Sequence, residues 1–268
     1  MTSRIQRWGV PLLACGVAWG AASGCRGHRT AITLAGSTAF QPFAEKLAEE
    51  FMVLHRDISV TVQGGGSAVG VQSALSGAAQ IGMADLVALP PEASELTSLV
   101  VARDGIAVVV HPSNTVTNLA TEQVRQIFSG SVRNWNRLGG RDGAITVVSR
   151  EAGSGTRSSF EQILGGIALS GDAIVQDSNG TIRETVANDP HAVGYLSHGL
   201  VNDRIKPLTV DGRACTTDEI VAGRYALVRP VYLLTKGEPA GACKAFLDYV
   251  LSADGQGIIR ANGLIPAR

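Results

Sequence analysis

The chain has 268 residues, of which 45% are hydrophobic and 17% charged, and Lys+Arg and Asp+Glu both number 23. That length suffices for one large domain or two smaller lobes, and the balance of charge excludes a global field directed at nucleic acid or acidic lipid. An aromatic content of 5% argues against a stacking platform for bases or sugars.

The first 25 residues differ in kind. Arg4 and Arg7 form a basic start, no acidic residue precedes Glu45, and a short apolar run from Val10 to Ala18 leads to Ala21-Ala22-Ser23-Gly24-Cys25. This is the pattern of a secretory leader, with an apolar run too short to span a bilayer. Ala22-Ser23-Gly24-Cys25 resembles a bacterial lipobox, with Ala22 where leucine is usual. The expectation is an exported protein, lipid-anchored at Cys25, in the periplasm or at the outer cell surface. Removal of residues 1–25 leaves 21 basic and 23 acidic residues. Cys215 and Cys243 then remain; in an exported chain they are either a disulfide or a free pair, and both readings stay open.

In chain order, Ile32-Thr33-Leu34-Ala35 reads as a short buried strand ended by Gly36. Residues 40–54 put Phe40, Phe43, Ala44, Leu47, Ala48 and Phe51 on one stripe, with Glu45, Lys46, Glu49 and Glu50 opposite, which predicts an amphipathic helix. Ile58 to Gln63 alternates as a strand and is followed by Gly64-Gly65-Gly66-Ser67 and a helix to about Leu75. Ile81 to Ala84 is a further strand, ending at Asp85. Gly105 to Pro112 is an apolar run long enough to cross between lobes. A capped helix at Thr121, an Asn134-Trp135-Asn136 turn and a strand from Ile145 to Ser149 come next. Arg229 to Leu234 is a second crossing candidate, and a closing helix from Ala242 to Leu251 ends near Gly255. Strands alternating with helices predict α/β architecture with mainly parallel sheets, and two crossings predict two lobes.

Three stretches share one design: a strand ends, small and hydroxyl residues follow, and a helix begins. They are Gly36-Ser37-Thr38-Ala39, Gly66-Ser67-Ala68 and Gly153-Ser154-Gly155-Thr156. The first turn of a helix leaves backbone N–H groups without intrahelical partners, and its dipole favours negative charge. Singly, each reads as an ordinary N-cap. Three at strand ends of one α/β chain point to a small anion. Arg150, just before the third turn, is placed to grip two anion oxygens at once. Asp85, after its strand, looks misplaced beside an anion. Monohydrogen phosphate, however, has a proton to give a carboxylate, whereas sulfate has none, so Asp85 would admit one and repel the other.

The set AGSTAF, QGGGSAVG, IGMAD, GIAVVVHP, NWNRLGG and SREAGSGTRSSF, followed by VDG, RPVYLLT, LDYVLSADGQ and GLIPA, resembles the phosphate-binding proteins of bacterial ABC importers. The resemblance spans about residues 32–266. It implies the two-lobed type II periplasmic-binding-protein fold on a two-strand hinge, with residues 30–107 and 231–268 in lobe 1 and 108–230 in lobe 2. It implies phosphate ligands at Ser37, Thr38, Ala39, Ser67, Asp85, Arg150, Ser154, Gly155 and Thr156. It also implies a monomer that takes inorganic phosphate, meets membrane permease subunits, and uses no cofactor or metal. Some family members carry an Asp two residues after the arginine; this chain has Ala152 there, with Glu151 adjacent. Rival readings are a phosphate sensor for a signalling partner and the same fold holding sulfate or molybdate. An enzyme is disfavoured, since no GxSxG, HExxH or GxxxxGK[ST] motif occurs and the five histidines show no triad spacing.

Overall fold

The computed structural model describes residues 29–267, so the leader and Cys25 lie outside the described residues. The strands are β1 (Thr30–Gly36), β2 (Ile58–Gln63), β3 (Ile81–Ala84), β4 (Leu96–Val110), β5 (Asn118–Leu119), β6 (Thr146–Arg150), β7 (Ile174–Gln176), β8 (Ala192–Ser197), β9 (Lys206–Pro207), β10 (Thr209–Val210), β11 (Val228–Lys236) and β12 (Ile265–Pro266). The α-helices are α1 (Gln41–Leu54), α2 (Ser67–Ser76), α3 (Thr121–Phe128), α4 (Gly155–Ile163), α5 (Asn179–Asn188), α6 (Thr217–Val221), α7 (Gly241–Leu251) and α8 (Ala253–Ala261).

One mixed sheet orders its strands β2-β1-β3-β11-β4-β8-β6-β7. Near each end the pairing is parallel, β1 with β2 and β3 and β6 with β7 and β8, as expected of strands joined through helices. In the middle, β11 and β4 run antiparallel to each other and to their outer neighbours. These two are the crossing strands expected from the apolar runs. β4 begins well before Gly105, because alternating residues from Leu96 onward pair with β11 while one face stays exposed.

The apolar stripe on α1 buries Phe43, Ala44, Leu47, Ala48 and Phe51. They join Leu34, Ile81, Met83, Val231, Phe246 and Ile259 in one core. A second core gathers Ile106 to Val110, Val124, Phe128, Val148, Phe160, Ile182, Tyr195 and Leu227. Two cores bridged by two strands make the two-lobed α/β fold. Fully burying one such side chain contributes about 1.5–3 kcal/mol, so each lobe carries its own folding drive.

Two expectations need correction. Gly255 does not end the chain's helical part: it lies in the first turn of α8, where the Ser252 hydroxyl accepts from its N–H at 3.2 Å. The Ser-x-x-Gly pattern is therefore a cap, and a second helix follows. Cys215 and Cys243 are both free thiols. Cys215 is buried in the second core, whereas Cys243 packs at the edge of the first, so the disulfide reading fails because the two residues serve different lobes.

Candidate functional site

The three small-residue turns converge where the lobes meet. β1 delivers Ser37, Thr38 and Ala39, the N-terminus of α2 delivers Ser67, and β3 ends on Asp85. From the other lobe, β6 ends on Arg150, and α4 starts at Gly155 behind its cap Ser154. All of the residues expected at the site except Thr38, which is half-buried, are buried. The lobes touch directly: the Ala68 N–H donates to the Gly153 carbonyl at 3.2 Å. Gly66, at φ +90°, lets the α2 turn come that close; a Cβ there would lie 2.7 Å from the same carbonyl. A cleft of about 220 Å³ opens alongside, lined by Ser67, Ala68, Gly153, Ser154 and Gly155 among others.

Hydrogen bonds show what each group has left to offer. Ser37 Oγ accepts from Phe40 N at 3.1 Å and Ser154 Oγ accepts from Arg157 N at 3.3 Å. Ser154 therefore caps α4 and Ser37 closes the turn that leads into α1, yet in both a hydroxyl that accepts keeps its own proton free. Capping a helix and donating to an anion are compatible uses of one serine. Thr38 Oγ1 accepts from Arg150 Nη2 at 3.1 Å and from Asn179 Nδ2 at 3.5 Å, which again leaves its proton. Ser67 and Thr156 differ. Ser67 Oγ donates to Asp85 Oδ1 at 2.5 Å and accepts from Asp85 N at 3.0 Å, while Thr156 Oγ1 donates to Asp85 Oδ2 at 3.2 Å. In this arrangement they offer an anion their amides. The N–H groups of Ala39, Ser67, Gly155 and Thr156 have no acceptor among the described residues.

Arg150 is 1% exposed. It makes a two-pronged pair with Glu151, Nε to Oε2 at 2.9 Å and Nη2 to Oε1 at 2.8 Å. Glu151 thus grips the arginine from the adjacent position. Arg150 Nη2 also reaches the Asp177 carbonyl, and Nη1 is buried without a partner among the described residues. Behind it, Ser149 Oγ lies 2.8 Å from Tyr195 Oη, and the Tyr195 ring stacks on Phe160 at 4.0 Å. Burial pushes the Tyr195 hydroxyl up to about 12, so it remains a neutral buttress for β6 and α4.

Four buried residues, Arg229, Asp104, Ser197 and Asn179, escaped sequence reasoning. Arg229 on β11 contacts Asp85 Oδ2 at 2.7 Å and Asp104 Oδ2 at 2.8 Å, and it is paired in register with Asp104 of β4. Ser197 Oγ donates to Asp104 Oδ1 at 2.9 Å, and the Ser197 amide donates to Asn179 Oδ1 at 3.0 Å. Burial raises the Asp104 carboxyl above its ordinary range, with Arg229 opposing. The signal was present in the sequence: Arg229 and Asp104 are charges inside apolar strands, and buried charges require partners. Asp85 is therefore not the isolated repulsive carboxylate that the sequence suggested. Arg229 compensates it.

A carboxylate has about four lone-pair sites. Ser67 and Thr156 donate to two on Asp85 and Arg229 lies against its Oδ2 as an ion pair, which leaves room for a further donor. Around it stand free amides, the hydroxyl protons of Thr38 and Ser154, and unpartnered guanidinium nitrogens of Arg150 (Nη1) and Arg229 (Nε and Nη1). The arrangement can hold a small oxyanion that brings a proton of its own. Among the described residues no group of three or more His, Cys, Asp or Glu is arranged to hold a metal, and no helix is long and apolar enough to cross a membrane.

A family model for the PBP superfamily domain matches residues 21–254. The phosphate-binding protein PstS of Bacillus subtilis is 36% identical over 240 residues, covering 88% of this chain and 80% of that protein. Among solved structures, a candidate phosphate ABC transporter substrate-binding protein from Clostridium perfringens, with bound phosphate, superposes at a TM-score of 0.87. It is 34% identical and covers 89% of this chain and 100% of the other. An ABC-type phosphate transport receptor from Vibrio cholerae gives 0.74 with 35% identity, covering 87% and 99%. The chain belongs to the PBP superfamily and, within it, to the family of PstS phosphate-binding proteins.

Proposed function

We propose that this protein is a binding protein and not an enzyme, and that it closes its two lobes on one inorganic phosphate outside the cytoplasm and delivers it to the membrane subunits of an ABC importer. The observation that carries the reading is Arg150: a buried guanidinium at the seam between lobes, with Nη1 unpartnered, among helix starts whose amides are free. The relatives' names and the bound phosphate in the Clostridium perfringens structure support the same ligand. Thr38, Ala39, Ser67 and Asp85 would serve from lobe 1, and Arg150, Ser154, Gly155 and Thr156 from lobe 2, with Ser37 chiefly shaping the turn. The cores change over between Ala102 and Ile106 and between Leu227 and Val231. This supports a second boundary near 230/231 and a first one a few residues ahead of 107/108, since Ile106 and Ala107 already pack in the second core.

Selectivity follows from Asp85. A site left free on its carboxylate accepts the proton of monohydrogen phosphate; sulfate would place a bare oxygen against it. Buried Arg150, Arg229, Asp85 and Asp104 and half-buried Glu151 together carry no net positive charge, so neutral donors and one guanidinium hold the anion. Calorimetry on the mature protein, unfolded and refolded to strip carried ligand, tests this. One phosphate per monomer and no heat from sulfate are expected. Absence of phosphate heat would overturn the assignment. The lipid anchor is tested separately: Cys25→Ala should move the protein from the membrane to the soluble envelope fraction, because a multi-chain anchor contributes about 0.8 kcal/mol per buried methylene.

A further inference from the structure

The expected ligands account for Asp85 but leave Arg229 unexplained. It is fully buried, it sits on a crossing strand, and one nitrogen, Nη2, contacts two carboxylates. Those carboxylates have different duties. Asp104 faces Ser197 and, through it, Asn179 and Thr38, a chain of hydrogen bonds that returns to Arg150. Asp85 faces Ser67 and Thr156, one from each lobe. Arg229 joins these two halves into one polar chain.

We propose that Arg229 is a positioning residue for oxyanion discrimination: by contacting Asp85 and Asp104 together, it keeps the Asp85 carboxylate an acceptor aimed at a protonated ligand oxygen. The inference deepens the phosphate reading and rests on it. The physical reason is charge. Two carboxylates sharing one water-poor space cannot both stay ionised without a cation between them. Remove the guanidinium and the cheapest remedy is a proton on Asp85 or Asp104. A protonated Asp85 becomes a donor, and a donor accepts the bare oxygen of sulfate. Loss of Arg229, which touches neither ligand nor cleft in this account, would then imitate loss of the Asp85 charge itself.

The test is the sulfate-to-phosphate affinity ratio at one pH and ionic strength, in wild type, Arg229→Gln, Arg229→Lys, Asp85→Asn and the Asp85→Asn/Arg229→Gln double variant. Arg229→Gln should raise the ratio about tenfold or more. Arg229→Lys, which keeps a cation, should restore most of the discrimination. In the double variant the ratio should match Asp85→Asn alone, because both changes act on one group. If Arg229→Gln does not fold, Arg229→Met, which fills the site without a charge, replaces it and is expected to show the same rise. Asp104→Asn/Arg229→Gln, which removes the second carboxylate as well, should keep close to the wild-type ratio. A merely structural Arg229 would lower thermal stability without moving the ratio. A folded variant that binds phosphate with the wild-type ratio overturns the proposal and leaves phosphate binding intact. Wild-type protein that binds no phosphate removes both.

Discussion

Arg150 reaches across the seam to Thr38: its Nη2 lies 3.1 Å from the threonine hydroxyl oxygen, 112 residues away in the chain. One guanidinium thus links both lobes and keeps one nitrogen, Nη1, without a partner among the described residues. Arg150→Met should lower phosphate affinity about 100-fold or more, since hydrogen bonds to charged groups are worth roughly 1.5–3 kcal/mol each. Arg150→Lys keeps the charge but not the fork that also holds Glu151, and should lose about tenfold. Calorimetry reads both. An Arg150→Met variant with wild-type affinity would exclude the residue from the site.

Closure can be blocked without deleting a ligand. A Cβ at Gly155 would lie 2.5 Å from Asp85 Oδ1 and 2.7 Å from the Asp85 carbonyl, and nearer still to Ser67 Oγ. At Gly153 a Cβ would meet only the Ala68 methyl at 3.6 Å, an ordinary contact. Gly155→Ala should therefore cost about 100-fold in affinity and keep the protein open in small-angle scattering when phosphate is added. Gly153→Ala should close and bind within about threefold of wild type. Equal behaviour of the two would mean that this seam does not have to close.

The Asp104 carboxyl gives a pH signature. Its folded-state affinity for a proton is raised, chiefly by burial. A raised acid favours the folded state while protonated, and that contribution is lost as pH rises from about 3.9, the unfolded value, through the folded one. Above that window ionised Asp104 is a standing cost. Urea unfolding of ligand-free protein should show Asp104→Asn gaining stability relative to wild type as pH rises from 5 to 8. A gap that moves the other way would mean that the Arg229 contact outweighs burial.

The cysteines should behave independently. Burial pushes both thiols up, Cys215 far more than Cys243, and only Cys243 is partly exposed. In protein lacking residues 1–25, a thiol reagent should label Cys243 first and Cys215 only on unfolding, with two thiols titrating in denaturant without reductant. None would restore the disulfide.

The two crossing runs, the apolar stripe of α1 and the three small-residue turns were legible because each is a local pattern: a period of 3.6 or 2, or a cap beside a strand end. So were Arg150 and Asp85, which directly follow or end a strand. The sequence alone therefore determined the alternation of elements, the apolar faces and the kind of ion those turns could hold. It could not pair Arg229 with Asp104, since an antiparallel register between residues 125 apart leaves no trace in local spacing. Nor could it tell that Ser67 and Thr156 spend their hydroxyl protons on Asp85, or that Cys215 and Cys243 belong to different cores. Those facts depend on which surfaces the lobes bring together. Only the folded chain decides where a buried charge finds its partner, because desolvation makes that pairing obligatory without naming the residue that supplies it.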